Sequence, residues 1–126
     1  MAIPIDPISS PNTKAITIIS NITEVTDKTF DAEVLQSQKP VLVLFSTAWC
    51  PACKQQLAIL EEVARDYKDK IKFVKVDVEN NLLALATYQV SHVPKLILFQ
   101  AGKAIDTKIG LHPNSSIREI IRNNIN

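Results

Sequence analysis

A continuously apolar run, Pro40-Val41-Leu42-Val43-Leu44-Phe45, leads into Trp49-Cys50-Pro51-Ala52-Cys53, after which a long helical pattern begins. Such a run has the composition of a strand buried on both faces at the centre of a sheet. The chain must therefore turn from a central strand into a helix, and it places its only two cysteines and its only tryptophan at that turn. Pro51 suits the first helical turn, where its fixed φ is helical and its missing N–H is not needed. A thiol at a helix N-terminus sits among free N–H groups at the positive end of aligned peptide dipoles. Both favour the thiolate, the nucleophile of thiol–disulfide exchange. Cys50 is expected at the helix start as the exposed, reactive thiol. Cys53 is expected one turn in, sheltered and able to close a disulfide on it.

Zinc sites also use Cys-x-x-Cys, but a structural site normally needs four ligands. No second cysteine pair exists, and His92 and His112 are distant and lack ligand spacing, so no metal is expected. Two inert core cysteines are the bland alternative. The Cys-x-x-Cys spacing beside a strand–helix pattern favours redox chemistry over both.

A chain of 126 residues makes one domain with a real core. A net charge of +1, with nearly equal acids and bases, argues against a nucleic-acid or membrane-surface role driven by charge. No apolar run approaches the ~20 residues needed to span a bilayer. The first residues, Met1-Ala2-Ile3-Pro4-Ile5-Asp6-Pro7, lack the basic and apolar regions of a signal peptide. A complete chain of this kind is expected in the cytoplasm, where a lone cysteine pair is more often catalytic than structural.

Residues 1–14 carry Pro4, Pro7 and Pro11 and read as an extended arm; residues 15–126 read as the folded domain. Residues 15–19 and 22–25 have strand composition. Thr26 and Asp27 offer caps for a helix with Phe30, Val34 and Leu35 on one face. The strand at 41–45 and the helix after the cysteines follow, with Leu57, Leu60, Val63, Ala64 and Tyr67 at helical spacing. Residues 71–78 alternate as a strand. A short helix capped by Asn80 or Asn81 comes next, then a strand over 94–99. A turn at 100–103 leads to a partner strand over 104–109. A final helix capped by Asn114 or Ser115 carries Ile117, Ile120, Ile121 and Ile125. The order is α/β, with a mixed central sheet flanked by helices.

This order and several local motifs resemble the thioredoxin family from about residue 22 to the end. Trp49-Cys50-Pro51-Ala52-Cys53-Lys54 is similar to the family's Trp-Cys-Gly-Pro-Cys-Lys. Val93-Pro94 matches its cis-proline, and Gly110 falls where a glycine borders its substrate groove. The resemblance implies a thioredoxin fold and a groove formed by Trp49, Pro51, Val93, Pro94 and Gly110. It also implies a protein disulfide as substrate, a thioredoxin reductase as partner and no bound cofactor; the chain is expected to act as a monomer. Fold alone does not give activity; retention of both cysteines carries that inference.

Some positions depart from the family pattern. Leu44 stands where the family holds a buried aspartate that moves a proton to and from the inner thiol, so Lys75 lacks the acid it would pair with. A more stable, slower catalyst is expected, with water as proton acceptor. Pro51-Ala52 replaces Gly-Pro, a change expected to make the couple somewhat less reducing. His92 and Lys95 flank the proline as candidate tuning groups, the first as a titrating neighbour of the thiolate and the second as a substrate-facing cation. The expected activity is reduction of protein disulfides through Cys50 and Cys53. An oxidase or isomerase of the same fold remains open, as does a protein-binding module with weak redox activity.

Overall fold

A computed structural model describes residues 20–125. The expected arm and the expected strand over 15–19 lie outside these residues. Five strands form one sheet in the order β1-β3-β2-β4-β5. They are β1 (Ile22–Glu24), β2 (Val41–Ser46), β3 (Lys72–Asp77), β4 (Lys95–Gln100) and β5 (Lys103–Ile109). β1 and β2 run parallel to β3 on either side, and β4 runs antiparallel to both β2 and β5. The helical segments are α1 (Asp31–Leu35), α2 (Pro51–Tyr67), α3 (Leu82–Thr87) and α4 (Asn114–Asn124). This is the mixed sheet with flanking helices that the sequence predicts.

The central strand β2 is buried from Val41 to Phe45, and its alternation divides the core. Leu42 and Leu44 join Phe73, Leu96 and Leu98 beneath Leu60, Val63, Ile117 and Ile121 of α2 and α4. Val43 and Phe45 face the other way, with Val74, Val76, Phe99 and Phe30. There Tyr88 packs against Phe30 and Phe99, with ring centroids 5.2 and 5.3 Å apart. Burying a large apolar side chain contributes about 1.5–3 kcal/mol, so this two-sided core holds β2 and the turn after it in place.

The first helix differs from expectation. It is a single π-helical turn, closed by a bond from the Gln36 amide to the Asp31 carbonyl at 2.9 Å. Asp27 does not cap it. The Asp27 carboxylate instead accepts from the Leu83 and Ala84 amides at 3.0 and 2.9 Å, capping α3 from a distant segment. Asn81 reciprocates by accepting from the Asp27 amide at 2.8 Å. The β4–β5 hairpin turns through Ala101 and Gly102, with φ of 53° and 79°. Positive φ at both central residues gives the reversed twist that a two-residue hairpin needs.

Candidate active site

The register brings several chain ends to one edge of the sheet. Ser46 at the end of β2 pairs with Asp77 at the end of β3, Phe45 with Lys95 at the start of β4, and Lys95 with Ile109 at the end of β5. The cysteine turn, the loop before Pro94 and the loop after Ile109 therefore emerge together. In open α/β sheets the carboxyl ends of parallel strands are where sites form, because helices start there and free N–H groups converge.

Cys50 is the N-cap of α2. Its backbone is extended, at φ −89° and ψ 112°, and its Sγ accepts a hydrogen bond from the Cys53 amide at 3.1 Å. Pro51 opens the helix, as the sequence predicts. Both thiols are free. The expected contrast in exposure is not found: Cys50 is 5% exposed and Cys53 3%. The reason is the capping bond, which turns the Cys50 sulfur inward over the first helical turn. The two thiols differ in setting instead. Burial, then the hydrogen bond with Cys50, pushes the Cys53 thiol up to about 12, against a lowering contact from the Thr47 backbone. Cys53 thus holds its proton firmly.

Val93-Pro94 is cis, as the resemblance implies. The Pro94 carbonyl accepts from the Gly110 amide at 2.8 Å, which joins the start of β4 to the loop after β5. Gly110 has φ 88°, and a Cβ placed there would meet no atom within 4 Å. The backbone conformation, not crowding, calls for glycine at that point. Trp49 is 66% exposed, and its Nε1 donates to the Glu79 carboxylate at 2.8 Å. Ile109 and Leu111, on either side of Gly110, are also exposed. Trp49, Ile109 and Leu111 thus leave apolar surface uncovered at this end of the molecule.

Leu44 is fully buried, in register with Lys75 on one side and Leu96 on the other. Among the described residues Lys75 makes no ion pair. The Lys95 amine does not stand free in the groove; it donates to the Tyr88 and Gln89 carbonyls at 2.7 and 3.3 Å, bracing the loop that leads to Pro94. His92 is exposed, with its Nδ1 3.2 Å from Ser91 Oγ.

These features combine two adjacent free thiols at a helix start, a cis-proline turn and a glycine turn bonded to it. The family model described as thioredoxin matches residues 21–123. The chain belongs to the thioredoxin family. The thioredoxin of Rickettsia bellii is 42% identical over 101 residues, covering 80% of this chain and 96% of the relative. That of Rickettsia prowazekii is 36% identical over 104 residues, covering 82% and 99%, and that of Pyropia yezoensis is 36% identical over 97 residues, covering 77% and 91%. As a thioredoxin-family protein with both cysteines, the chain is a dithiol–disulfide oxidoreductase.

Sequence reasoning missed Gln56. Fully buried on α2, it donates through Nε2 to the His112 carbonyl at 3.0 Å and accepts at Oε1 from the His112 amide at 2.8 Å. This amide pairing ties the loop after Gly110 to the helix that carries the cysteines. The available signal was a glutamine between Cys53 and Leu60, on the apolar face of α2. Gln56→Leu is expected to leave both His112 backbone groups unpaired, costing about 1–3 kcal/mol. Urea unfolding measures the loss. The loosened loop should also raise KM for protein disulfides more than it lowers kcat. An unchanged midpoint and KM would remove Gln56 from this role.

Proposed function

We propose that this protein reduces disulfides in other proteins, with Cys50 as nucleophile and Cys53 as resolving thiol. Cys50 attacks a substrate disulfide and forms a mixed disulfide, expelling one substrate thiolate. Cys53 then attacks the Cys50 sulfur, releases the second substrate thiolate and leaves Cys50–Cys53 oxidised. The observation that carries this reading is the Cys50 sulfur held as N-cap, 3.1 Å from the Cys53 amide. The Cys53 amide donates to this sulfur, which attacks the substrate disulfide in the first step and is itself attacked by Cys53 in the second.

The substrate is an extended protein segment lying along Val93-Pro94, with Trp49, Pro51 and Gly110 as its apolar and backbone surroundings. The exposed Trp49 ring and the apolar side chains beside Gly110 support this placement. Electrons come from a thioredoxin reductase, and the site of action is the cytoplasm, where a lone cysteine pair serves catalysis. Among the described residues no helix is long and apolar enough to cross a membrane.

The test is NADPH-dependent reduction of insulin by the purified protein with a purified thioredoxin reductase. Catalytic turnover is the expected result. Protein that is reduced by dithiothreitol yet inert towards insulin would overturn the reading. Turnover of insulin with dithiothreitol but not with the reductase would overturn only the choice of partner.

A further inference from the structure

A pocket of about 350 Å³ opens beside the inner thiol, between α2 and the β1–β3 side of the sheet, with Cys53 and Leu57 among its lining residues. The charged groups around it are Glu24 from β1, Lys75 and Asp77 from β3, and Lys54 from α2. The sheet register explains how they meet. Glu24, Lys75 and Leu44 are successive partners across β1, β3 and β2, and Asp77 pairs with Ser46 two residues further on. Residues in register, and those two apart along a strand, share a face. The carboxylates therefore lie on the same face as Leu44, displaced one and two strands from it.

A second observation points to solvent in this pocket. Thr47, which also lines it, is 8% exposed, and its Oγ1 is buried with no hydrogen-bond partner. Among the described residues no other buried side-chain polar atom is left so. An unpaired buried hydroxyl costs about 1–3 kcal/mol, and water reaching it from the pocket removes that cost.

We propose that this pocket is the proton port of Cys53, with the carboxylates of Glu24 and Asp77 accepting through water the proton that Cys53 gives up when it attacks Cys50. The inference rests on the resolving role assigned to Cys53 above. In the step, the Cys53 thiol gives its proton through water to a carboxylate, and the Cys53 sulfur forms a bond to the Cys50 sulfur. The Cys50–substrate S–S bond breaks and its electron pair leaves on the substrate thiolate. The carboxylic acid then returns the proton to solvent. Asp77 has acceptor capacity left for water: its two oxygens already accept from the Glu79 amide at 3.1 Å and from the Asn80 side chain at 2.8 Å, and each oxygen has a second lone-pair site. Glu24 is exposed at the outer rim. Lys75 stands between them, the register partner of Glu24 and two residues before Asp77 on the same strand face. Since burial holds the Cys53 thiol up to about 12, its unassisted thiolate is scarce near neutral pH.

The experiment is stopped-flow measurement of both exchange steps against a model disulfide, for wild type, Glu24→Gln, Asp77→Asn and the double variant. In the wild type the resolving step should be nearly independent of pH from mildly acidic to neutral. In the double variant that step should slow by about tenfold at neutral pH, less than the roughly 10²–10⁴-fold of a base in direct contact because water keeps access. Its rate should then climb in proportion to hydroxide, and added imidazole should restore it. Glu24→Gln, at an exposed position, should show the same change of profile in smaller degree and carries the test if the double variant does not fold. The Cys50 step should not change. An unaltered resolving step overturns the proposal, as does a slowed one with an unaltered pH profile and no response to imidazole. Absence of either exchange step in the wild type would instead overturn the assigned function.

Discussion

Cys53→Ser is expected to abolish turnover and to accumulate a covalent mixed disulfide between Cys50 and its substrate, whereas Cys50→Ser abolishes turnover and traps nothing. The serine hydroxyl cannot attack a disulfide, so the first variant stops after the first exchange and the second never begins. The asymmetry does not come from exposure, since both thiols are buried. It comes from the helix start. The Cys50 sulfur caps α2, while the Cys53 thiol is pushed up to about 12 by burial and by its hydrogen bond with Cys50. Alkylation of the reduced wild type at mildly basic pH should consume Cys50 first, with Cys53 following only in strong alkali. Non-reducing electrophoresis and mass spectrometry read both results. Trapping by either variant, together with equal alkylation rates, would reject the assignment.

Leu44→Asp is expected to lower stability and to raise turnover. Leu44 is fully buried among Leu42, Leu60, Val63 and Leu96. The substitution removes that apolar contribution and buries a carboxyl, a combined loss on the order of 4 kcal/mol. Lys75 is its register partner and moderates the loss. Desolvation raises the pKa of the introduced carboxyl. A raised folded-state pKa favours folding in acid and penalises it as the carboxyl ionises. The deficit should therefore be smallest below the ordinary carboxylate range and grow as pH rises through it. A carboxyl that titrates nearer neutrality also accepts the Cys53 proton more readily, so reductase-coupled turnover should rise by about tenfold. Denaturant unfolding across pH and steady-state turnover check the two halves. If the variant folds and is no faster anywhere from mildly acidic to mildly basic pH, proton removal from Cys53 is not what Leu44 limits.

The central strand, the strand-to-helix turn and the position of both thiols were legible in the sequence because each is set by neighbours in the chain. An unbroken apolar run specifies a strand buried on both faces, Pro51 starts a helix, and a two-residue spacing keeps two thiols within one turn. Local patterns gave the order of strands and helices for the same reason. Local reasoning failed at Asp27, whose capping residue type was legible but whose helix was not: it caps α3, more than fifty residues on, with a separation of 56 to the Leu83 amide. Gln56 lies on the apolar face of α2, but its partner, the His112 backbone, comes from a loop 56 residues away. The burial of Cys50 follows from the direction its sulfur takes within the cap. The pocket at Cys53 depends on β1 pairing with β3 and β3 with β2, which sets Glu24, Lys75 and Leu44 in one row. Periodicity tells which face of a strand a residue occupies, but which residues become its neighbours is decided by strand order and register, and these exist only once the chain has folded.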